Sequence, residues 1–99
     1  MIVYLVNYRT DPELFEKKAE ILKALSHPVR LCIVKNLSEV EGSNVTNMQH
    51  CFELPQSTVS QHLAVLRILG IIKGNRNGLE IVYSLRNEKV RELIKLLFE

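Results

Sequence analysis

The rhythm of apolar residues changes at Gly70, and that change limits the folds open to this chain. Before it, Val59, Leu63, Leu66 and Leu69 recur at spacings of four, three and three, which sets them on one face of a helix. After it, Ile71-Ile72-Lys73 and Leu79 to Leu85 read as two β-strands around a turn at Gly74-Asn75-Arg76-Asn77-Gly78. Upstream, prolines and caps divide the chain. Asp11-Pro12-Glu13 starts a helix, with Asp as N-cap and Pro in the first turn. Phe15, Ala19 and Leu22 form one stripe along it and Leu14, Ile21 and Leu25 a second, so a core can cover one side and a second subunit the other. Ser26-His27-Pro28 ends that helix and starts another, with Leu31, Val34 and Leu37 as its inner stripe. Asn44 caps a short third helix marked by Val45, Met48 and Phe52, and Leu54-Pro55 separates it from the fourth, over about 55–69. Asn87 caps a last helix on which Val90, Leu93, Ile94 and Leu97 line up, with Leu96 and Phe98 off that stripe. The order α-α-α-α-β-β-α is mainly α with a β-hairpin. Three helices followed by a hairpin make a winged helix-turn-helix, here with one extra helix at each end.

At 99 residues there is room for one domain, 1–99, and one core. Such a chain buries only about 60–65% of the surface its unfolded form exposes, so a second copy is a natural source of further burial. No apolar run approaches the roughly 18–20 residues of a membrane span. Residues 1–8 are apolar but short for a signal peptide and follow no basic residue, so the expectation is a cytoplasmic chain without a membrane partner. Cys32 and Cys51 alone make no disulfide framework. The net charge of +2 hides an uneven distribution. Residues 1–54 sum to −1 and 87–99 to zero, whereas 55–86 carry Arg67, Lys73, Arg76 and Arg86 against Glu80 alone. A basic stretch of that kind is the electrostatic footprint of nucleic-acid contact, because neutralising phosphates releases counterions.

The stretch opens with Pro55-Gln56-Ser57-Thr58-Val59-Ser60-Gln61-His62-Leu63. On a helix, Ser57, Ser60, Gln61, Ala64 and Arg67 lie away from the apolar stripe. Short polar residues at a helix start suit a major groove roughly 12 Å wide, where Gln can pair with adenine and Ser with a base edge or phosphate. The hairpin, over about 73–80, adds Lys73 and Arg76 within reach of a phosphate or an adjacent minor groove.

Together, Ser-His-Pro-Val-Arg-Leu at 26–31, the run from Leu54 to Leu63 and Gly78-Leu79-Glu80-Ile81-Val82-Tyr83-Ser84-Leu85 resemble the ArsR/SmtB repressors across nearly the whole chain. The resemblance is to their metal-independent PagR-type members. It implies a homodimer built from the first and last helices, two recognition helices on an inverted-repeat operator in double-stranded DNA, and repression of transcription. Carried over by position, Gln56, Ser57, Ser60 and Gln61 face bases or phosphates, Thr58 and His62 make lesser contacts, and Arg76 is the wing contact. Arg67 and Lys73 complete the expected DNA-binding set, and Leu14, Ile21, Val90, Leu93, Ile94 and Leu97 the dimer interface. Metal-sensing relatives use two ligand sites, and the matching positions here are Asn44 and Thr46 in one and Asn87 and Lys89 in the other, none a good soft-metal ligand. No metal or other cofactor is therefore expected. Cys32 reads as a small buried hydrophobe. Cys51 beside His50 leaves a reactive thiol open, and an effector-gated sensor is one alternative. A winged helix that binds protein instead of DNA is another. An enzyme is not expected, since no phosphate loop, nucleophile–base pair or carboxylate cluster stands out.

Overall fold

The computed structural model describes residues 6–99, with the backbone alone of His50 and Cys51. The expectations for residues 1–5 and for the Cys51 thiol therefore lie outside the described residues. Five helices and one hairpin follow in the order α1 (Pro12–Leu25), α2 (Pro28–Glu39), α3 (Val45–Phe52), α4 (Gln56–Ile68), β1 (Ile72–Asn77), β2 (Glu80–Leu85) and α5 (Glu88–Phe98).

Local chemistry sets most of the boundaries. The Asp11 carboxylate accepts from the Leu14 amide at 3.2 Å, and Pro12 fills the first turn of α1. His27 caps α2 with its ring, Nδ1 accepting from the Val29 amide at 3.1 Å. Asn44 Oδ1 accepts from the Asn47 amide at 2.8 Å, and Asn87 Oδ1 from the amides of Lys89 and Val90 at 3.0 and 3.1 Å. Each of these acceptors satisfies donors that the helix itself leaves free. Helix α3 ends differently: Glu53 sits at φ 55°, ψ 35°, a left-handed residue with a side chain at a position where glycine is usual.

The core gathers Ile33, Val34 and Leu37 of α2, Val59, Leu63 and Leu66 of α4, Ile71 and Ile72 at the start of the hairpin, and Ile94 of α5. At roughly 1.5–3 kcal/mol for each fully buried large apolar side chain, these residues provide the main drive to fold. The inner face of α5 is Val90 and Ile94, 3% and 1% exposed. Both were expected at a dimer interface, and this is corrected: packing against the chain's own core leaves them almost no surface for a partner. Leu93, Leu96, Leu97 and Phe98 remain on the outside of the same helix.

The hairpin also departs from expectation. Its turn is not Gly74–Gly78 but the two residues Gly78-Leu79, with Asn77 paired to Glu80, Arg76 to Ile81 and Gly74 to Tyr83. Gly78 at φ +68° followed by a residue at negative φ suits a two-residue hairpin of the Gly-X kind, whose twist matches the strands. Gly74 pairs with Tyr83 inside β1, and the facing strand leaves little room there for a side chain: a Cβ would lie 2.9 Å from Ile81 Cγ2 and 3.2 Å from Tyr83 Cε1. The hairpin is tied down in the middle of β2 and just past its end. Ser43 and Tyr83 exchange backbone hydrogen bonds of 2.9 and 2.7 Å, and the Ile71 carbonyl accepts from the amides of Arg86 and Asn87 at 2.9 and 3.2 Å.

Candidate nucleic-acid interface

Helix α4 starts without a side-chain cap. Pro55 is its N-cap, and its carbonyl accepts from Thr58 and Val59 at 3.1 and 3.2 Å, while the Gln56 and Ser57 amides have no partner among the described residues. An open helix start directs free N–H groups and the positive end of the dipole at whatever lies in front, which favours phosphate. Around that start Gln56, Ser57, Ser60 and Gln61 are exposed, and Arg67 is exposed in the last turn. Val59, Leu63 and Leu66 hold the opposite face in the core, so the polar face cannot rotate inward. Thr58 is half-buried.

His62 is also half-buried, and its ring is turned onto α2. Nδ1 lies 3.4 Å from Nη1 of Arg30, and the ring centroid is 4.4 Å from that of His27. Arg30 in turn donates through Nε to the Ala24 carbonyl of α1 at 2.7 Å. Burial, then the His27 ring, then the Arg30 guanidinium hold the His62 imidazole below its ordinary pKa of 6.5. The side chain, expected among the lesser DNA contacts, thus joins α4 to α2.

The hairpin stands beside α4. Lys73 and Arg76 are exposed on β1, two of the four cations in the basic stretch. A cleft of about 320 Å³ separates hairpin from helices, with Asn44 and Thr46 on one wall, Gln56 and Ser60 on another, and Leu79 and Glu80 from the hairpin closing it. Across this cleft Asn44 Nδ2 donates to Glu80 Oε2 at 2.9 Å, so one asparagine both caps α3 and ties the helices to the hairpin. Sequence reasoning found Asn44 as a cap but missed this second bond; Glu80, the lone acid of the basic stretch, was the available signal. Arg30 was missed too, although it lies within the Ser26–Leu31 block.

The arrangement has close counterparts. The family model described as "Bacterial regulatory protein, arsR family" matches residues 27–73, from the cap of α2 into β1. A transcriptional repressor, PagR of Bacillus anthracis, is 47% identical over 92 residues, covering 93% of this chain and 92% of that protein. The chain belongs to the arsR family. Its fold agrees: the crystal structure of PagR superposes with a TM-score of 0.76 over 92% of this chain and 99% of that one. Reduced HlyU from Vibrio cholerae superposes at 0.82 with 30% identity, over 92% and 94% of the two chains. The HTH-type transcriptional regulator YgaV of Escherichia coli is 40% identical over 82 residues, 83% of each chain. This arsR-family chain is therefore a winged helix-turn-helix, with α3 and α4 as the helix-turn-helix and β1–β2 as the wing. Asn44 and Asn87, at positions where metal-sensing relatives are expected to place ligands, both serve as helix caps. Among the described residues no group of three or more His, Cys, Asp or Glu could hold a metal ion, and no helix is long and apolar enough to cross a membrane.

Proposed function

We propose that this arsR-family chain acts as one domain over 1–99, a dimeric DNA-binding repressor that reads an inverted repeat in the cytoplasm, binding rather than catalysing. The observation that carries the reading is the open start of α4, with Gln56, Ser57, Ser60 and Gln61 exposed beside a wing that bears Lys73 and Arg76. Gln56 and Gln61 are the candidates for base edges, Ser57 and Ser60 for bases or phosphates, and Arg67, Lys73 and Arg76 for phosphates. Thr58 is assigned a lesser contact and His62 the placement of α4. The name of PagR as a repressor supports the sign of the regulation.

Dimerisation rests on the outer helices. Phe15 and Leu22 of α1 and Leu93, Leu96, Leu97 and Phe98 of α5 are all exposed, and Ile21, Leu22 and Leu93 line a groove between the two helices. Leu14 is half-buried at the start of the same surface. The Cα radius of gyration of 15.6 Å exceeds the roughly 13 Å of a compact chain this long, which suits an element that reaches for a partner. Two such protomers related by a two-fold axis set their recognition helices one turn of DNA, about 34 Å, apart.

The test is fluorescence anisotropy of labelled DNA from the chain's own upstream region against a scrambled duplex, at two salt concentrations, with and without zinc. Preference for the native duplex by more than about a thousandfold, unmoved by zinc, is the expected result. Gln56→Ala is expected to relax preference at one base position by about 1–3 kcal/mol. Equal weak binding to both duplexes would refute the reading and favour a winged helix that binds protein.

A further inference from the structure

The tip of the wing is apolar. Leu79 is fully exposed, the most exposed large hydrophobic residue among those described, in a stretch that otherwise reads Gly-Asn-Arg-Asn-Gly. Scattered exposed leucines are ordinary on protein surfaces. This one is distinguished by its mounting and its neighbours. It occupies the second position of a two-residue turn closed by the Asn77–Glu80 pair, with Gly78 at φ +68° before it. The residue after it is Glu80, whose carboxylate is held by the Asn44 amide at 2.9 Å, and Asn44 is itself fixed as the cap of α3. The tip is thus braced against the helix-turn-helix. Leu79 also borders the cleft that Gln56 and Ser60 line, and Arg76 lies three residues before it on β1.

We propose that Leu79 is a wedge for the minor groove next to the major groove that α4 enters, resting on the DNA-binding reading above. A rigid hairpin that carries one apolar side chain at its tip and a guanidinium just behind it has the chemistry of minor-groove proteins. Arginine is drawn by the groove's negative potential, and the apolar side chain partly unstacks a base step and bends the duplex. The steps that yield most easily are pyrimidine–purine ones, TA and CA/TG, so Leu79 selects operators with such a step under the wing without any hydrogen bond to a base. Gln56 and Gln61 then read sequence directly, while the wing reads deformability.

The test uses the full chain and a duplex from its own upstream region, labelled at both ends for resonance energy transfer, with anisotropy on the same DNA. Wild type is expected to shorten the end-to-end distance. Leu79→Ala is expected to restore most of it and to bind about a hundredfold more weakly, about tenfold for each of the dimer's two wedges, the scale of one apolar side chain's burial. Leu79→Met is expected to keep both bend and affinity. Because Leu79 is fully exposed, these variants are expected to keep the fold, which circular dichroism checks. If Leu79→Ala bends and binds the duplex as wild type does, the wedge is refuted while the DNA-binding reading stands. If wild type fails to distinguish native from scrambled DNA, both are refuted.

Discussion

Replacing Glu53 with glycine should make the protein more stable, although it deletes a side chain from the turn of the helix-turn-helix. Glu53 is the only described non-glycine residue at positive φ, 55°, where the Cβ of an L-residue crowds its own backbone at a cost of about 1–2 kcal/mol. Its amide donates to the Gln49 carbonyl at 2.9 Å, so the left-handed turn is fixed by the end of α3 and does not relax away. Glycine removes the crowding but gives the unfolded chain more freedom, which returns about 0.5–1 kcal/mol. The expected balance is a gain of about 0.5–1 kcal/mol. For a domain of this size that raises the melting temperature by about 2–8 °C. The control is Glu53→Ala, which removes the carboxylate but keeps a Cβ in the left-handed turn, and it should stay within about 0.5 kcal/mol of wild type. Thermal and urea denaturation of the three proteins decide the matter. Equal stabilisation by Gly and Ala would assign the effect to charge, and no gain with Gly would mean that the turn carries no strain; either result refutes the reasoning.

If Arg76 contacts one phosphate in each protomer, as proposed, Arg76→Ala should flatten the dependence of log K on log salt by about 1.8 for a dimer, so that wild type's advantage shrinks about twelvefold between 50 and 200 mM salt. An unchanged slope in anisotropy titrations would remove Arg76 from the phosphate contacts. Leu97→Glu sets a charge on the exposed face of α5, and light scattering should report a monomer that keeps its helical circular dichroism; a variant that stays dimeric moves the interface elsewhere. The lowered pKa of His62 means that the unfolded chain binds more protons than the folded one in acid. Stability is therefore full above pH 6.5 and declines as the pH falls below it toward the folded-state pKa, and His62→Gln should flatten that decline in urea midpoints measured from pH 5 to 7.5; an identical pH profile in the variant would show that the ring carries no such linkage.

Three of the five helices, α1, α3 and α5, were legible because each announces itself with a side-chain cap that has only local requirements. Asp11, Asn44 and Asn87 sit next to the amides they accept from, so a short window of sequence contains the whole interaction. The buried face of α4 was legible for a similar reason, since Val59, Leu63 and Leu66 repeat with the helix. What failed depended on partners far along the chain. Gly74 read as a turn residue, because its place in a strand is decided by Ile81 and Tyr83 across the hairpin. Val90 and Leu93 share one periodic pattern, yet only the packing of α5 on the rest of the chain, α2 included, decides that the first is core and the second is surface. The His62–Arg30 contact spans 32 positions, and the Asn44–Glu80 bond 36; neither leaves a mark on local periodicity.

Those two long-range contacts explain how so small a domain can hold a recognition helix and a wing in one fixed relation. The wing alone is a two-stranded hairpin, a structure of marginal stability in water. It is held by the Ser43–Tyr83 exchange, by the Ile71 carbonyl at its base, and by Glu80 on Asn44 near its tip. From the other side, His62 and Arg30 fasten α4 to the junction of α1 and α2. Asn44 therefore links the start of α3 to the tip of the wing. Replacing it costs a helix cap, typically about 1 kcal/mol, and at the same time releases the tip of the wing.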